Sequence, residues 1–301
     1  FGAPLRRTCL DGPLAALWAV MLLSAAASVD PAMSVFGAYP QAFHGLLPAA
    51  LYTALYYAAA NTREAWSDRV LGWMVAASLP LALYGLSQRA WGDLLTHAEL
   101  PNHRISSTIG NPVMLGACIV LLAPLALHWA LKKKGPLGAA AGASLVAALL
   151  ATWARGAWLS AGVSAAAYLW LTGRLRPRPR HALALVLLAP ILFFALQRGL
   201  GKGDSDSMRV EVMKSSLRAF ASRPLLGCGP DAFLLAFRRH KTYGFIRLAG
   251  NTSVVQSSAH NDLIQAAVTL GLLGLLAYAW LLWALAARSA GCVFKNPRQP
   301  G

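Results

Sequence analysis

Long apolar runs separated by short polar clusters make up most of this chain. They fall at Pro13–Val29, His44–Ala60, Val70–Leu86, Val113–Leu131, Leu137–Trp153, Ala157–Thr172, Ala182–Leu196 and Leu263–Ala287. A hydrocarbon core of roughly 30 Å needs about 20 apolar residues per helix, so the pattern predicts about eight transmembrane helices, several near the lower length limit. Ala and Leu dominate the runs, and none alternates apolar with polar as a lipid-facing barrel strand must. The expectation is an all-α integral membrane protein: residues 1–197 hold seven helices and short loops, 198–262 a long outer loop, 263–287 the last transmembrane helix and 288–301 a cytoplasmic tail.

The long loop has a pattern of its own. Asp204–Ser207 offers N-cap candidates, and a helix runs from about Met208 to Ser222, where Arg223-Pro224 stops it. On a helical wheel Glu211, Lys214, Ser215 and Arg218 share a polar face. Met208, Val212, Met213, Leu217 and Phe220 spread around the other, with Arg209 in their midst. A guanidinium there needs an anion, water or a backbone partner, unless its long stem lifts it to the interface. A second short helix starts at Pro230, carries Asp231 in its first turn and ends on Arg238, Arg239, His240 and Lys241, an order that suits the helix dipole by itself. Ser257–Asp262 then leads into the last helix, which places His260 near the outer bilayer surface. Gly271 and Gly274 follow at a spacing typical of close helix packing.

Composition narrows the class. A mean hydropathy of +0.50, with 57% hydrophobic and 13% charged residues, excludes a soluble globule. The net charge of +16 suggests nucleic acid until its distribution is read. With Arg6 and Arg7 inside, 14 of the 27 Lys and Arg residues fall on the cytoplasmic side. Only Arg89, Arg104 and Arg155 lie in the short outer loops, and ten sit in the long outer loop. That asymmetry orients a membrane protein, and it turns Lys132–Lys134 and Arg174–Arg180 into hinges that meet anionic membrane lipids, with no nucleic-acid partner expected. The chain opens on Phe1 without a signal layout, as a piece of a longer protein with further flanking helices would. Cys9, Cys118, Cys228 and Cys292 stand in unrelated segments without CxxC spacing, so neither a disulfide framework nor a metal site is expected.

Few outer-face residues carry chemistry. They are Arg104, Asn111 beside Pro112, Arg155 at the tip of a helical hairpin, Arg209, Arg223, His260 and Asn261. Arginines, amides and one histidine, without a carboxylate cluster, describe a site that stabilises anionic oxygens without metal or cofactor. Charge-assisted bonds from Arg to phosphate contribute roughly 1.5–3 kcal/mol each, enough for two or three to hold a pyrophosphate. His260 titrates near neutral pH and suits proton abstraction from a hydroxyl. There is no GxSxG turn, and Gly201-Lys-Gly203-Asp204 lacks the context of a nucleotide loop.

At these residues the chain resembles the O-antigen ligase and polymerase family. The matching pieces are Arg104-Ile-Ser-Ser-Thr-Ile-Gly-Asn111-Pro112, Thr152-Trp-Ala-Arg155-Gly156-Ala-Trp158, Arg209, Arg223-Pro-Leu-Leu-Gly227-Cys-Gly229 with Phe233, and His260-Asn261-Asp262 with Leu270-Gly-Leu-Leu-Gly274. The stretch from Ser28-Val-Asp30 to Gly45-Leu-Leu is similar to the family's upstream region. The resemblance implies a GT-C-like fold and an inverting, metal-independent glycosyltransferase of the bacterial inner membrane with its site facing the periplasm. The donor it implies is an undecaprenyl-pyrophosphate-linked glycan and the acceptor a lipid A–core sugar. Arg155 and Arg209, with Arg104 and Arg223, would bind the pyrophosphate, Asn111 and Asn261 would support the site, and His260 would activate the acceptor hydroxyl. An O-antigen polymerase and a protein O-oligosaccharyltransferase share that chemistry and differ in acceptor. Two features depart from the pattern: Thr269 stands where family members often carry an acidic residue, and eight helices fall short of the usual dozen or so. A polyprenyl-glycan transporter needs charges lining its spans, and these spans hold almost none away from their ends.

The charge asymmetry places Asn261 outside. An Asn261→Cys variant lacking the four native thiols is expected to react with impermeant maleimide from the periplasmic side, and labelling only from the cytoplasm would invert the topology.

Overall fold

The computed structural model describes residues 7–38, 44–62, 64–95, 104–133, 135–172 and 203–295. Among them are eleven α-helices and no strand: α1 (Asp11–Ala26), α2 (Pro31–Phe36), α3 (Leu46–Ala60), α4 (Glu64–Trp91), α5 (Pro112–Lys133), α6 (Pro136–Ala151), α7 (Arg155–Leu171), α8 (Gly203–Ser222), α9 (Phe233–His240), α10 (Tyr243–Ala249) and α11 (Asp262–Lys295). The apolar runs become α1, α3, α4, α5, α6, α7 and α11; the run Ala182–Leu196 lies outside the described residues. Among the described residues three stretches are long and apolar enough to cross a membrane, Asp68–Trp91, Pro112–Lys132 and Asp262–Arg288. At 1.5 Å per residue the 15 or 16 residues of α1, α3 and α6 extend about 22–24 Å, short of a full hydrocarbon core. Trp73, Leu121 and Trp283 are each more than 70% exposed, as side chains facing lipid are.

The chain forms two compact units. One comprises residues 62–200 and 297–301, the other residues 1–61 and 201–296. In the first, α4 to α7 enclose a core of Val75, Ala82, Ile105, Leu115, Ile119 and Leu145. Small residues let these helices approach closely: a Cβ at Gly116 would stand 2.6 Å from Ala157 Cβ, and one at Gly72 2.8 Å from the Trp129 ring. A 3-10 turn, Ser107–Ile109, precedes α5.

In the second unit α1 packs on α11, and α8 to α10 build a small aromatic core. Phe233, Phe237 and Phe245 are fully buried, with ring centroids 5.8 and 4.9 Å apart. The inward side of α8 differs from the wheel. Val212, Ser215, Ser216 and Ala219 are buried, while Arg209, Met213 and Leu217 are exposed. Ser215 and Ser216 return their hydroxyls to the carbonyls of Glu211 and Val212 at 2.7 and 2.8 Å, so two small polar residues pack inward with their hydrogen bonds satisfied. The next helix begins at Phe233 rather than Pro230. Asp231 adopts φ 56° outside the helix, and its buried carboxylate accepts from Ala38 N at 2.8 Å.

The backbone of α11 is not continuous. Gly271, at φ 67° and ψ −165°, interrupts it and acts as a break rather than a packing notch. The loop 223–229 serves the backbone groups on both sides of that break. Cys228 N donates to Val268 O and Gly229 N to Thr269 O, each at 3.0 Å, while Leu272 N donates to Pro224 O at 2.7 Å and Leu273 N to Leu225 O at 3.3 Å. The end of α1 closes the arrangement: Ser24 Oγ donates to Leu226 O and Thr269 O, and Val29 N to Cys228 O. A Cβ on Gly271 would collide with the Leu225 carbonyl in a backbone conformation L residues rarely adopt. Gly271→Ala is therefore expected to lower stability by about 2–4 kcal/mol, read as a fall in thermal midpoint in detergent. Gly142→Ala, where a Cβ meets nothing, should cost nothing. Equal midpoints for the two variants would remove the break from the account of stability.

Candidate functional site

Arg155 opens α7 after a turn built by its neighbours. Thr152 Oγ1 donates to Leu149 O at 2.6 Å and accepts from Ala154 N at 3.1 Å, and Trp158 Nε1 donates to Leu149 O at 2.7 Å. Trp153 sits between them at φ 51° with its ring exposed. Arg104 joins this corner, because its Nε donates to Thr152 O at 2.8 Å. The structure therefore brings Arg104 and Arg155 to one turn, and it gives Arg104 a structural bond as well as a charge. Arg155 Nη1 is buried and has no hydrogen-bond partner among the described residues. A buried, unmatched guanidinium nitrogen is a costly feature that an anion removes.

Asn111 caps α5. Its Oδ1 accepts from Val113 N at 2.8 Å and Met114 N at 3.3 Å. The segment from Arg104 to Ser107 is held by a residue the sequence reading passed over. Gln88, a lone amide in an apolar helix, accepts from Ser106 N and Ser107 N at 3.1 and 2.8 Å and donates to Asp93 at 2.9 Å. Ser107 has φ 52°, a strained value that these bonds help hold.

The other unit carries the remaining candidates. Asn261 caps α11 as Asn111 caps α5, accepting from Leu263 N at 3.0 Å and Ile264 N at 3.1 Å. Just before it His260 takes φ 52°. Gln265 fixes the approach to that strained residue: its Oε1 accepts from Ala259 N at 2.8 Å, and its own N–H donates to Asn261 O at 2.8 Å. Among the described residues the His260 ring makes two long contacts, 3.5 Å to Ser258 Oγ and 3.4 Å to Gln256 Oε1, and is weakly held. Burial, and then the positive charge of Arg209, hold its pKa below the ordinary 6.5. Both effects disfavour the imidazolium and favour the form that accepts a proton.

Arg209 thus reaches His260 electrostatically from the exposed side of α8. Arg223 is different, since its Nη1 donates to Ala27 O at 2.8 Å and ties the loop 223–229 to the end of α1. Arg238 and Arg239 occupy the last turn of α9, where the dipole accounts for them. Sequence reading missed Gln88 and Gln265. The only signal either offers is a single polar residue inside an apolar helix, which looks the same whether its amide faces solvent or a loop. Among the described residues no group of three or more His, Cys, Asp or Glu side chains is placed to hold a metal ion.

Comparison with known proteins bears on these same segments. No curated protein and no solved structure matches the chain. A family model described as O-antigen ligase matches residues 139–279, a little under half of the chain. The match runs from α6 into the second half of α11, and so takes in Arg155, Arg209, Arg223, His260 and Asn261 but not Arg104 or Asn111. The hairpin arginine, most of the outer loop and the His-Asn pair of this all-helical protein thus fall inside a stretch that is similar to the O-antigen ligase family.

Proposed function

We propose that the protein is a glycosyltransferase of the bacterial inner membrane, acting at the periplasmic face as an O-antigen ligase. It moves a glycan from undecaprenyl pyrophosphate to a sugar hydroxyl of lipid A–core. The observation that carries this reading is the strained, loosely bonded His260 at the start of α11, with the charge of Arg209 near it on α8. In the step proposed, His260 takes the proton of the acceptor hydroxyl. The oxygen then bonds to the anomeric carbon of the donor, the bond from that carbon to the pyrophosphate breaks, and polyprenyl pyrophosphate leaves with the electron pair. Configuration inverts because attack and departure lie on opposite faces of the sugar.

Arginines supply the leaving-group side. Arg209, in the unit that carries His260, is proposed as a ligand of the pyrophosphate; Arg155, whose Nη1 lacks a partner among the described residues, is proposed from its own chemistry as an anion ligand within the other unit. Arg104 supports the Arg155 turn and adds charge to it. Arg223 is assigned here to the loop it anchors, with pyrophosphate binding as its second role. An O-antigen polymerase or a protein O-oligosaccharyltransferase would use the same donor and the same base. Supplying purified protein with donor and, in turn, lipid A–core, a lipid-linked repeat and a peptide separates the three.

His260→Ala is expected to lower transfer by about 10²–10⁴-fold with donor binding nearly intact. The acid limb of the rate should lie below the ordinary histidine value, since burial and Arg209 both disfavour the imidazolium. Arg209→Gln removes one of those causes, so the His260 titration followed by NMR without donor should move up in pH. A titration unchanged by Arg209→Gln would separate the two residues. Loss of donor binding in His260→Ala would make His260 a pyrophosphate ligand instead of a base.

Arg155→Lys is expected to weaken donor binding and transfer by roughly tenfold or more, because a point charge does not reproduce a planar fork on phosphate oxygens. Wild-type donor affinity in reconstituted Arg155→Lys membranes would withdraw the pyrophosphate role.

A further inference from the structure

The unit that carries His260 also encloses a cavity of about 380 Å³ between α1, α3 and α11. Its polar lining comprises His44, Tyr52, Asp262, Gln265, Thr269 and Tyr278, and Leu17, Met21 and Leu270 contribute apolar surface. Asp262 and Tyr278 are sixteen residues apart, which on a straight helix is about 24 Å. Both line one cavity, and α11 breaks at Gly271 between them.

Gln265 is the informative side chain. It is 8% exposed, and Ala259 N holds its Oε1, so the orientation of the amide is set. Its Nε2 is left buried with no partner among the described residues. Such a donor is unfavourable until a ligand supplies an acceptor. Asp262 offers the opposite, a carboxylate that only accepts, and none of the residues lining the cavity is Lys or Arg. A pyrophosphate is repelled there. A sugar hydroxyl, which both donates and accepts, complements the pair, and the rings of Tyr52 and Tyr278 with the Leu17 and Met21 side chains suit the C–H face of a pyranose. The volume falls in the range of about 300–1,000 Å³ usual for small-molecule sites. Position agrees as well, since Gln265 holds the residue before His260 and Asp262 stands two residues after it.

We infer that this cavity is the acceptor subsite, seating one uncharged, hydroxyl-bearing sugar ring with Gln265 Nε2 donating to it and the Asp262 carboxylate accepting from it. The inference rests on the transferase reading and specifies where the acceptor enters it. Donor pyrophosphate and acceptor sugar then approach His260 from surfaces of opposite electrostatic character, the Arg209 side of α8 and the Asp262 side of α11.

Two variants of the full chain in reconstituted membranes test it, with lipid A–core as acceptor and a polyprenyl-pyrophosphate glycan as donor. Gln265→Glu keeps an oxygen for Ala259 N and removes the unpartnered donor. Ala49→Phe fills the cavity from α3 without touching the His260 segment. Both should raise the acceptor KM by roughly tenfold with donor KM within about twofold of wild type, and Ala49→Phe should also leave the rate at saturating acceptor within about twofold. A rise in donor KM instead would give the cavity to the lipid chain of the donor and overturn the assignment, as would an unchanged acceptor KM in both variants. Direct binding of core oligosaccharide without donor separates this inference from the reaction. Binding that Ala49→Phe abolishes, in a wild-type protein that transfers nothing, sinks the transferase reading and keeps the subsite; transfer by a wild type whose oligosaccharide binding neither variant alters does the reverse.

Discussion

A helix that passes through Gly271 at φ 67° and ψ −165° releases backbone groups on both sides of the break. At the depth of a membrane span, free N–H and C=O groups each cost several kcal/mol, so the break persists only where protein replaces the missing bonds. The loop 223–229 does this with four backbone bonds, two to the carbonyls of Val268 and Thr269 and two from the amides of Leu272 and Leu273. Ser24, Val29 and Arg223 then secure that loop to the end of α1. The segment before the break, with Gln265, Thr269 and the Asn261 cap that follows His260, depends on this one arrangement. A continuous α11 would carry Asp262 away from Tyr278 and open the cavity that both residues line.

Strain concentrates at the turns that carry the candidate residues. The non-glycine residues with positive φ among those described are Ser107, Trp153, Asp231 and His260, and three of the four adjoin a candidate arginine or are the candidate base. Each conformation costs on the order of 1–3 kcal/mol and needs surroundings that hold it. Two glutamines do this in the same way from different helices, Gln88 at Ser107 and Gln265 at Ala259. An amide inside an apolar helix is unfavourable by itself, and a loop N–H at 2.8 Å converts it into a fastener. Rigid backbone beneath a loosely bonded imidazole is a suitable base for proton transfer, because the ring is positioned by the chain and remains open to the substrate.

Much of the architecture was legible in the residues. Apolar runs of helical length have one stable outcome in lipid, since every backbone group must be satisfied within its own segment, and so the starts and ends of α1, α3, α5, α6 and α7 follow the runs closely. Arg155 was conspicuous because a lone cation between two such runs has no local reason to be there. The caps at Asn111 and Asn261 were visible as residues but not as roles, because an amide before a helix suits a ligand as well as an N-terminus. The wheel of α8 misplaced its buried side, since Ser215 and Ser216 count as polar in any pattern and yet pack inward once their hydroxyls return to the helix.

By itself the sequence determined the all-helical class, the apolar helices with a hydrophilic stretch between them and the similarity of residues 139–279 to the O-antigen ligase family. These depend on local composition and spacing, and local terms need no knowledge of what packs where. Tertiary structure alone decided that Gly271 breaks the last helix, that residues 224–229 complete it, that Gln265 holds the approach to His260 and that Asp262 and Tyr278 share a cavity. Each of these is a bond or contact between residues from six to nearly fifty positions apart, or a change of direction at a glycine that reads equally well as a packing notch. A backbone hydrogen bond carries no side-chain signature. Where the chain meets itself through such bonds, only the folded arrangement of the whole unit specifies which groups are paired.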